Sequence, residues 1–173
     1  MSTDRGDTPA STHQEIVITR VLDAPRRLVF DAWTQPEILK RWWAPEGCTT
    51  PFCTVDLRVG GSFHFCMRLP DGQEVWGLGT FREIVEPELI RYTDQFADAE
   101  GNPVSPTHYG LSAEHPAETM VTVTFREHDG RTTITLRHAI PEPVLERGPT
   151  ERGWIEMLDH LAQTLAAYAG GTR

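Results

Sequence analysis

The chain of 173 residues is short of several things, and each shortage closes off a class of function. Cysteine is scarce: Cys48, Cys53 and Cys66 are odd in number and have no C-x-x-C spacing, which argues against a disulfide scaffold and for buried, reduced thiols. His64 and Cys66 at i, i+2, with Cys53 on a neighbouring strand, are too few for a zinc site, so no metal is expected. Positive charge is outweighed, 16 Lys and Arg against 25 Asp and Glu, and a net charge of -9 has the wrong sign for holding a phosphate backbone. Nucleic acid is therefore not an expected partner. No apolar run approaches the ~20 residues of a membrane helix, so membrane insertion is not expected either. G-x-S-x-G, a Gly-rich phosphate loop and H-E-x-x-H are all missing, and Glu83, Glu86 and Glu88 read as solvated charges at strand ends. No nucleophile is named and no cofactor is implied.

What is present is enough hydrophobic sequence for one domain with a real core. The opening MSTDRGDTPASTHQ is polar and lacks the apolar segment of a secretory signal. Residues 1–14 are expected to form a flexible tail and residues 15–173 a single domain of a cytoplasmic protein. EIVITRVLD alternates as a first strand. Past Pro25, Val29, Phe30 and Trp33 recur at helical spacing, and Thr34-Gln35-Pro36-Glu37 reads as a capping box opening a second short helix with Ile38, Leu39, Trp42 and Trp43.

From Cys53 the period becomes two. Val55, Leu57 and Val59 alternate with polar residues up to a Gly60-Gly61 turn into Phe63, Phe65 and Met67, and turns at 70–72, 86–88 and 129–130 separate four further strands. Short links make the sheet antiparallel. Residues 97–116 hold Pro and Gly without periodicity, a long loop that is a lid candidate. A final helix over about 150–169 carries Trp154, Leu158, Leu161, Leu165 and Tyr168 on one face and ends at Gly170-Gly171. A sheet large enough to bury that stripe must curl around it, giving an α+β fold.

Five stretches, FDAWTQPEILKRWWAP, VDLRVGGSFHFCM, GTFREIVEPELIRYT, TLRHAIP and RGWIEMLDHLAQTLA, fall in an order that resembles the START-like superfamily of helix-grip domains. Within it, the chain is similar to the family named after the activator of the heat-shock protein 90 ATPase. The resemblance spans about Glu15 to Tyr168 and implies a helix-grip fold, a curved antiparallel sheet wrapped around the long C-terminal helix, with an apolar cavity between them. The loop 97–116 is longer than this family usually has.

Several residues are candidates for the cavity wall. Trp42 and Trp43 are expected near its mouth, with Phe63, Phe65, Trp154 and Leu158 lining it; at helical or strand spacing all of these serve equally as plain core. Trp76 sits beside Gly77 and Gly79, whose missing side chains leave room for a close approach or a void. His138 falls in phase with Ile134 and Leu136, so its imidazole points inward and needs a partner. Tyr109, in the long loop, is placed to reach over the mouth. The leading expectation is a protein that binds a small hydrophobic or amphipathic ligand, lipids included. Alternatives are a module that binds a chaperone or other protein, as in a stress response, and an enzyme of cyclase or hydrolase type with His138 as its acid or base. A homodimer is left open.

Overall fold

The computed structural model describes residues 13–141 and 147–171. The expected tail lies outside them, except that His13 and Gln14 already belong to the first strand. Seven strands form one antiparallel sheet: β1 (His13–Leu22), β2 (Thr49–Val55), β3 (Ser62–Arg68), β4 (Glu74–Val85), β5 (Leu89–Ala97), β6 (Thr119–His128) and β7 (Arg131–Pro141). Their order across the sheet is β1-β7-β6-β5-β4-β3-β2. Strands β2 to β7 are a meander, while β1 lies at the far edge beside β7. The first connection must therefore carry the chain from one edge of the sheet to the other. Helices α1 (Arg26–Thr34) and α2 (Pro36–Trp42) make that crossing.

Helix α3 (Arg147–Gly171) packs Trp154, Met157, Leu158, Leu161 and Leu165 into the core, which reproduces the stripe read from the sequence. Inward strand positions such as Ile90, Tyr92, Val121, Val123, Ile134 and Leu136 complete it. The helix-grip arrangement is thus a single apolar layer between a curved sheet and one helix, with α1 and α2 alongside.

Three local features differ from the sequence reading, each for a physical reason. Thr34 does not cap α2: its hydroxyl donates to the Phe30 carbonyl at 2.8 Å inside α1, and Gln35 at the N-cap makes no capping hydrogen bond with its side chain. Strand β2 starts at Thr49 and stops at Val55, so Leu57 and Val59 stay exposed in a tight loop despite their alternation. In that loop Gly60 takes a φ of 84°, and a Cβ on Gly61 would strike the Asp56 carbonyl. The segment between β5 and β6 is ordered rather than shapeless. Its Asp98 carboxylate accepts from the backbone N–H of Glu100 and Asn102, Ala97 bridges to Pro103, and Pro106–Tyr109 form a 3-10 turn.

Gly77 and Gly79 explain how aromatic rings lie flat on the inner face of β4. By register Gly77 faces Phe65 and Gly79 faces Phe63, and the two rings stack on each other with centroids 5.5 Å apart. A Cβ on either glycine would run into the facing ring, and at Gly79 it would also lie 2.9 Å from the Thr93 carbonyl oxygen. The room left by the glycines is filled by the phenylalanines. Gly79→Ala is expected to lower stability by about 1–3 kcal/mol in chemical denaturation, the usual cost of overpacking a core. Unchanged stability would mean that the Phe63 ring is free to move away.

Candidate functional site

Packing is not uniform along the inner face. Strand alternation places Phe65 and Met67 of β3, Val75 and Gly77 of β4, Asp94 and Phe96 of β5, Thr119 of β6, and His138 and Ile140 of β7 on one side at one end of the sheet. There they line a half-open cavity of about 320 Å³, bordered by Leu111, His115 and Pro116 of the β5–β6 segment and by Thr150 in the first turn of α3. Its walls are mostly apolar. A second inner space, among Trp33, Trp43, Phe63 and Tyr92, holds only about 10 Å³. A larger space of about 590 Å³ between α2, β2 and α3 is an open surface trough edged by Lys40, Arg41 and His160. Its more apolar walls make the first cavity the candidate site.

The segment over the cavity is tied down by one hydroxyl. Tyr109 Oη donates to the Ala97 carbonyl at 2.6 Å and accepts from the Trp76 N–H at 3.1 Å. Ala97 and Trp76 are cross-strand partners, so the phenol is inserted into the end of the β4–β5 ladder. The same segment folds over the outer face, where His64 Nε2 lies 2.9 Å from the Asp98 carbonyl. It wraps the end of the sheet like a strap, from outer face to inner.

Beside the cavity, the Trp154 indole N–H donates to His138 Nδ1 at 3.1 Å. An indole nitrogen is only a donor, so Nδ1 carries no hydrogen and the proton sits on Nε2. That N–H donates to Thr119 Oγ1 at 2.8 Å, leaving the Thr119 hydroxyl to donate to the Asp94 carbonyl at 3.5 Å. Burial lowers His138 from 6.5 to about 4. Both ring nitrogens are engaged by the protein, so the imidazole is held neutral and has no free nitrogen to offer as an acid or base.

Asp94 is the contrasting group. It is half-buried, and the surface it keeps is that of the cavity. Among the described residues its carboxylate has no hydrogen-bond or ion-pair partner, and burial pushes its pKa up from 3.8 to about 6.

Comparison with known proteins accords with this architecture. The sequence pattern of the family described as Activator of Hsp90 ATPase homolog 1-like protein matches residues 23–166. The chain belongs to that family. A Chromobacterium violaceum protein of known structure is 28% identical over 87% of this chain and 96% of its own, with a TM-score of 0.72. A Mycobacterium smegmatis protein is 25% identical over 92% of each chain, TM-score 0.72. The solution structure of an Arthrobacter aurescens protein is 26% identical over 88% of this chain and 86% of its own, TM-score 0.73. No match was found among curated proteins.

Within this family member, the residues singled out from the sequence go to different places. Phe65 and His138 face the cavity, and Trp76 borders it with its ring turned to the outer face against Phe52 and His64. Trp154 stands behind His138, with Leu158 deeper in the core. Trp42 is fully buried, its indole donating to the Ala32 carbonyl at 2.9 Å, and Trp43 packs edge-on to Phe63 and Phe65. Neither tryptophan lines the cavity. Tyr109 anchors the strap instead of roofing the space. Cys53 shares the inner face with Phe65, whereas His64 and Cys66 point to the other face, so the three do not converge. The thiols are free, with burial raising Cys53 to about 12 and Cys66 to about 11. Asp94, Phe96 and Thr119 were overlooked in the sequence, although β5 alternation puts Asp94 in phase with Tyr92 and Phe96.

The two buried titrating groups affect stability with opposite signs. His138 binds a proton near 6.5 when unfolded but only near 4 when folded, so its contribution is intact above 6.5 and is lost as pH falls toward 4. Asp94 holds its proton up to about 6 when folded and only to 3.8 when unfolded, so its ionisation destabilises the fold above 6 and the penalty disappears below 3.8. Asp94→Asn is therefore expected to be more stable than the parent at pH 7.5, by on the order of 1–2 kcal/mol after allowance for its cavity-facing surface. The gain should shrink between pH 6 and pH 4 in denaturation measured across pH. A variant less stable at pH 7.5, or a pH-independent difference, contradicts this account of Asp94.

Proposed function

We propose that this protein binds a small hydrophobic or amphipathic molecule in the cavity bounded by Phe65, Met67, Phe96, Leu111 and Ile140. The observation that carries the reading is a mostly apolar, half-open cavity of about 320 Å³ at one end of the sheet's inner face. Apolar wall left in contact with water gains roughly 25 cal/mol per Å² when an apolar occupant covers it, so binding stabilises the fold. The family's START-like fold, which commonly holds hydrophobic ligands, supports the same reading. The volume lies at the small end of the ~300–1,000 Å³ range of ligand pockets, which favours a compact one- or two-ring compound over a diacyl lipid. The reading also takes the protein to be cytoplasmic, meeting its ligand in solution; no described helix is long and apolar enough to cross a membrane.

A second reading, a module that binds a chaperone or another protein, draws on the family's description and on Phe52, 41% exposed, packed against Trp76 on the outer face. The two readings part on one experiment. Fatty acids, flavonoids and small aromatic compounds should include some that raise the melting temperature and change tryptophan fluorescence together, since a ligand of the folded state stabilises by mass action. Val75→Phe, which places a ring in the cavity, should fold and lose both responses. If no apolar compound shifts the melting temperature, the cavity reading fails and the outer face becomes the functional surface.

A further inference from the structure

Apolar walls accept many ligands, so the polar groups among them decide which one fits. Among the described residues, Asp94 is the only acidic one at the cavity, and neither Lys nor Arg lines it. Among the described residues, the other polar side chains at the space are Gln95 on β5, Thr119 on β6, His138 on β7, His115 on the strap and Thr150 on α3. His138 is fixed as a neutral ring by the Trp154 N–H, and the Thr119 hydroxyl is spent between His138 Nε2 and the Asp94 backbone carbonyl. None of these supplies the Asp94 carboxylate with a counter-charge. A carboxylate turned inward without a partner is costly, and such groups concentrate where a ligand completes them.

We propose that the cavity selects compact apolar molecules bearing a protonated amine, with Asp94 as the residue that receives the ammonium group. This rests on the cavity being a ligand site. A neutral hydroxyl would return a single hydrogen bond and leave the negative charge uncompensated. An ammonium brings an opposite charge and charge-assisted donors, and the aromatic residues Phe65 and Phe96 line the same cavity, where aromatic rings favour a nearby cation. An anionic ligand of the same shape meets Asp94 as a like charge. The apolar body would lie against Met67, Val75, Leu111 and Ile140, away from the strand that carries the acid.

Three probes with one ring system separate the terms: 2-naphthylmethylamine, 2-naphthylmethanol and 2-naphthoate, titrated calorimetrically into the full chain. At pH 7.5 the amine is expected to bind at least tenfold more tightly than the alcohol, and the naphthoate most weakly. Asp94→Asn should bring the amine down to the level of the alcohol while alcohol binding persists. At pH 5, below the value of about 6 at which Asp94 takes up a proton, the parent protein's preference for the amine should shrink in the same way without any substitution. An alcohol that binds as tightly as the amine, or an amine preference that survives both Asp94→Asn and pH 5, overturns the assignment and leaves the apolar site standing. Failure of all three probes to bind the folded protein sinks the site itself.

Discussion

The hydrogen bond from the Trp154 indole to His138 Nδ1 is the contact on which the interior is organised. On one side, Trp154 stacks on Trp33 at 6.3 Å and meets Trp43 edge-on at 5.5 Å, tying α3 to the packed aromatic core. On the other side lie His138, Thr119 and the cavity. An inward imidazole in an apolar layer needs both nitrogens satisfied, and the donor-only indole fixes which one carries the proton. Trp154, His138 and Phe65 together partition the space gripped by the helix into a filled half and an open half. Among the described residues, Thr150, one turn before Trp154, is the one that α3 contributes to the cavity.

The filled half depends on small residues as much as on large ones. Phe63 and Phe65 lie on the inner face of β4 because Gly77 and Gly79 present no side chain there, and Trp43 then closes on both rings at 5.7 Å. Such edge-to-face aromatic packing gives the core rigid walls with little freedom to collapse. Rigid walls on one side and a tethered strap on the other let the remaining space stay open. The same burial raises the pKa of Asp94, the one acidic residue at the cavity among those described.

Much of the fold was legible in the sequence. The inward phase of His138 with Ile134 and Leu136, the α3 stripe and the hairpin turns are local periodicities, and the structure keeps each of them. Family resemblance supplied the curl of the sheet around the helix. What local pattern does not encode is where along α3 a distant helix lands: Trp42 and Trp43 were placed in the core correctly by spacing, yet at the wrong end of it, because their position follows from the edge-to-edge crossing of α1 and α2. Leu57 and Val59 kept the period of a strand without its pairing. Tyr109 bonds two strand ends that only the tertiary fold brings together. Asp94 was in plain phase with Tyr92 and Phe96, but an isolated acid in a strand reads as solvated unless the space it faces is known.

The division of the interior is tested most directly by methyl-resolved NMR of the protein titrated with 2-naphthylmethanol. The account predicts ligand-dependent shifts at the methyl groups of Met67, Leu111 and Ile140, with those of Leu39, Ile90 and Leu161 unmoved. Shifts centred on Leu39 and Ile90, with Met67 and Ile140 silent, would place the open space on the other side of Trp154 and contradict it.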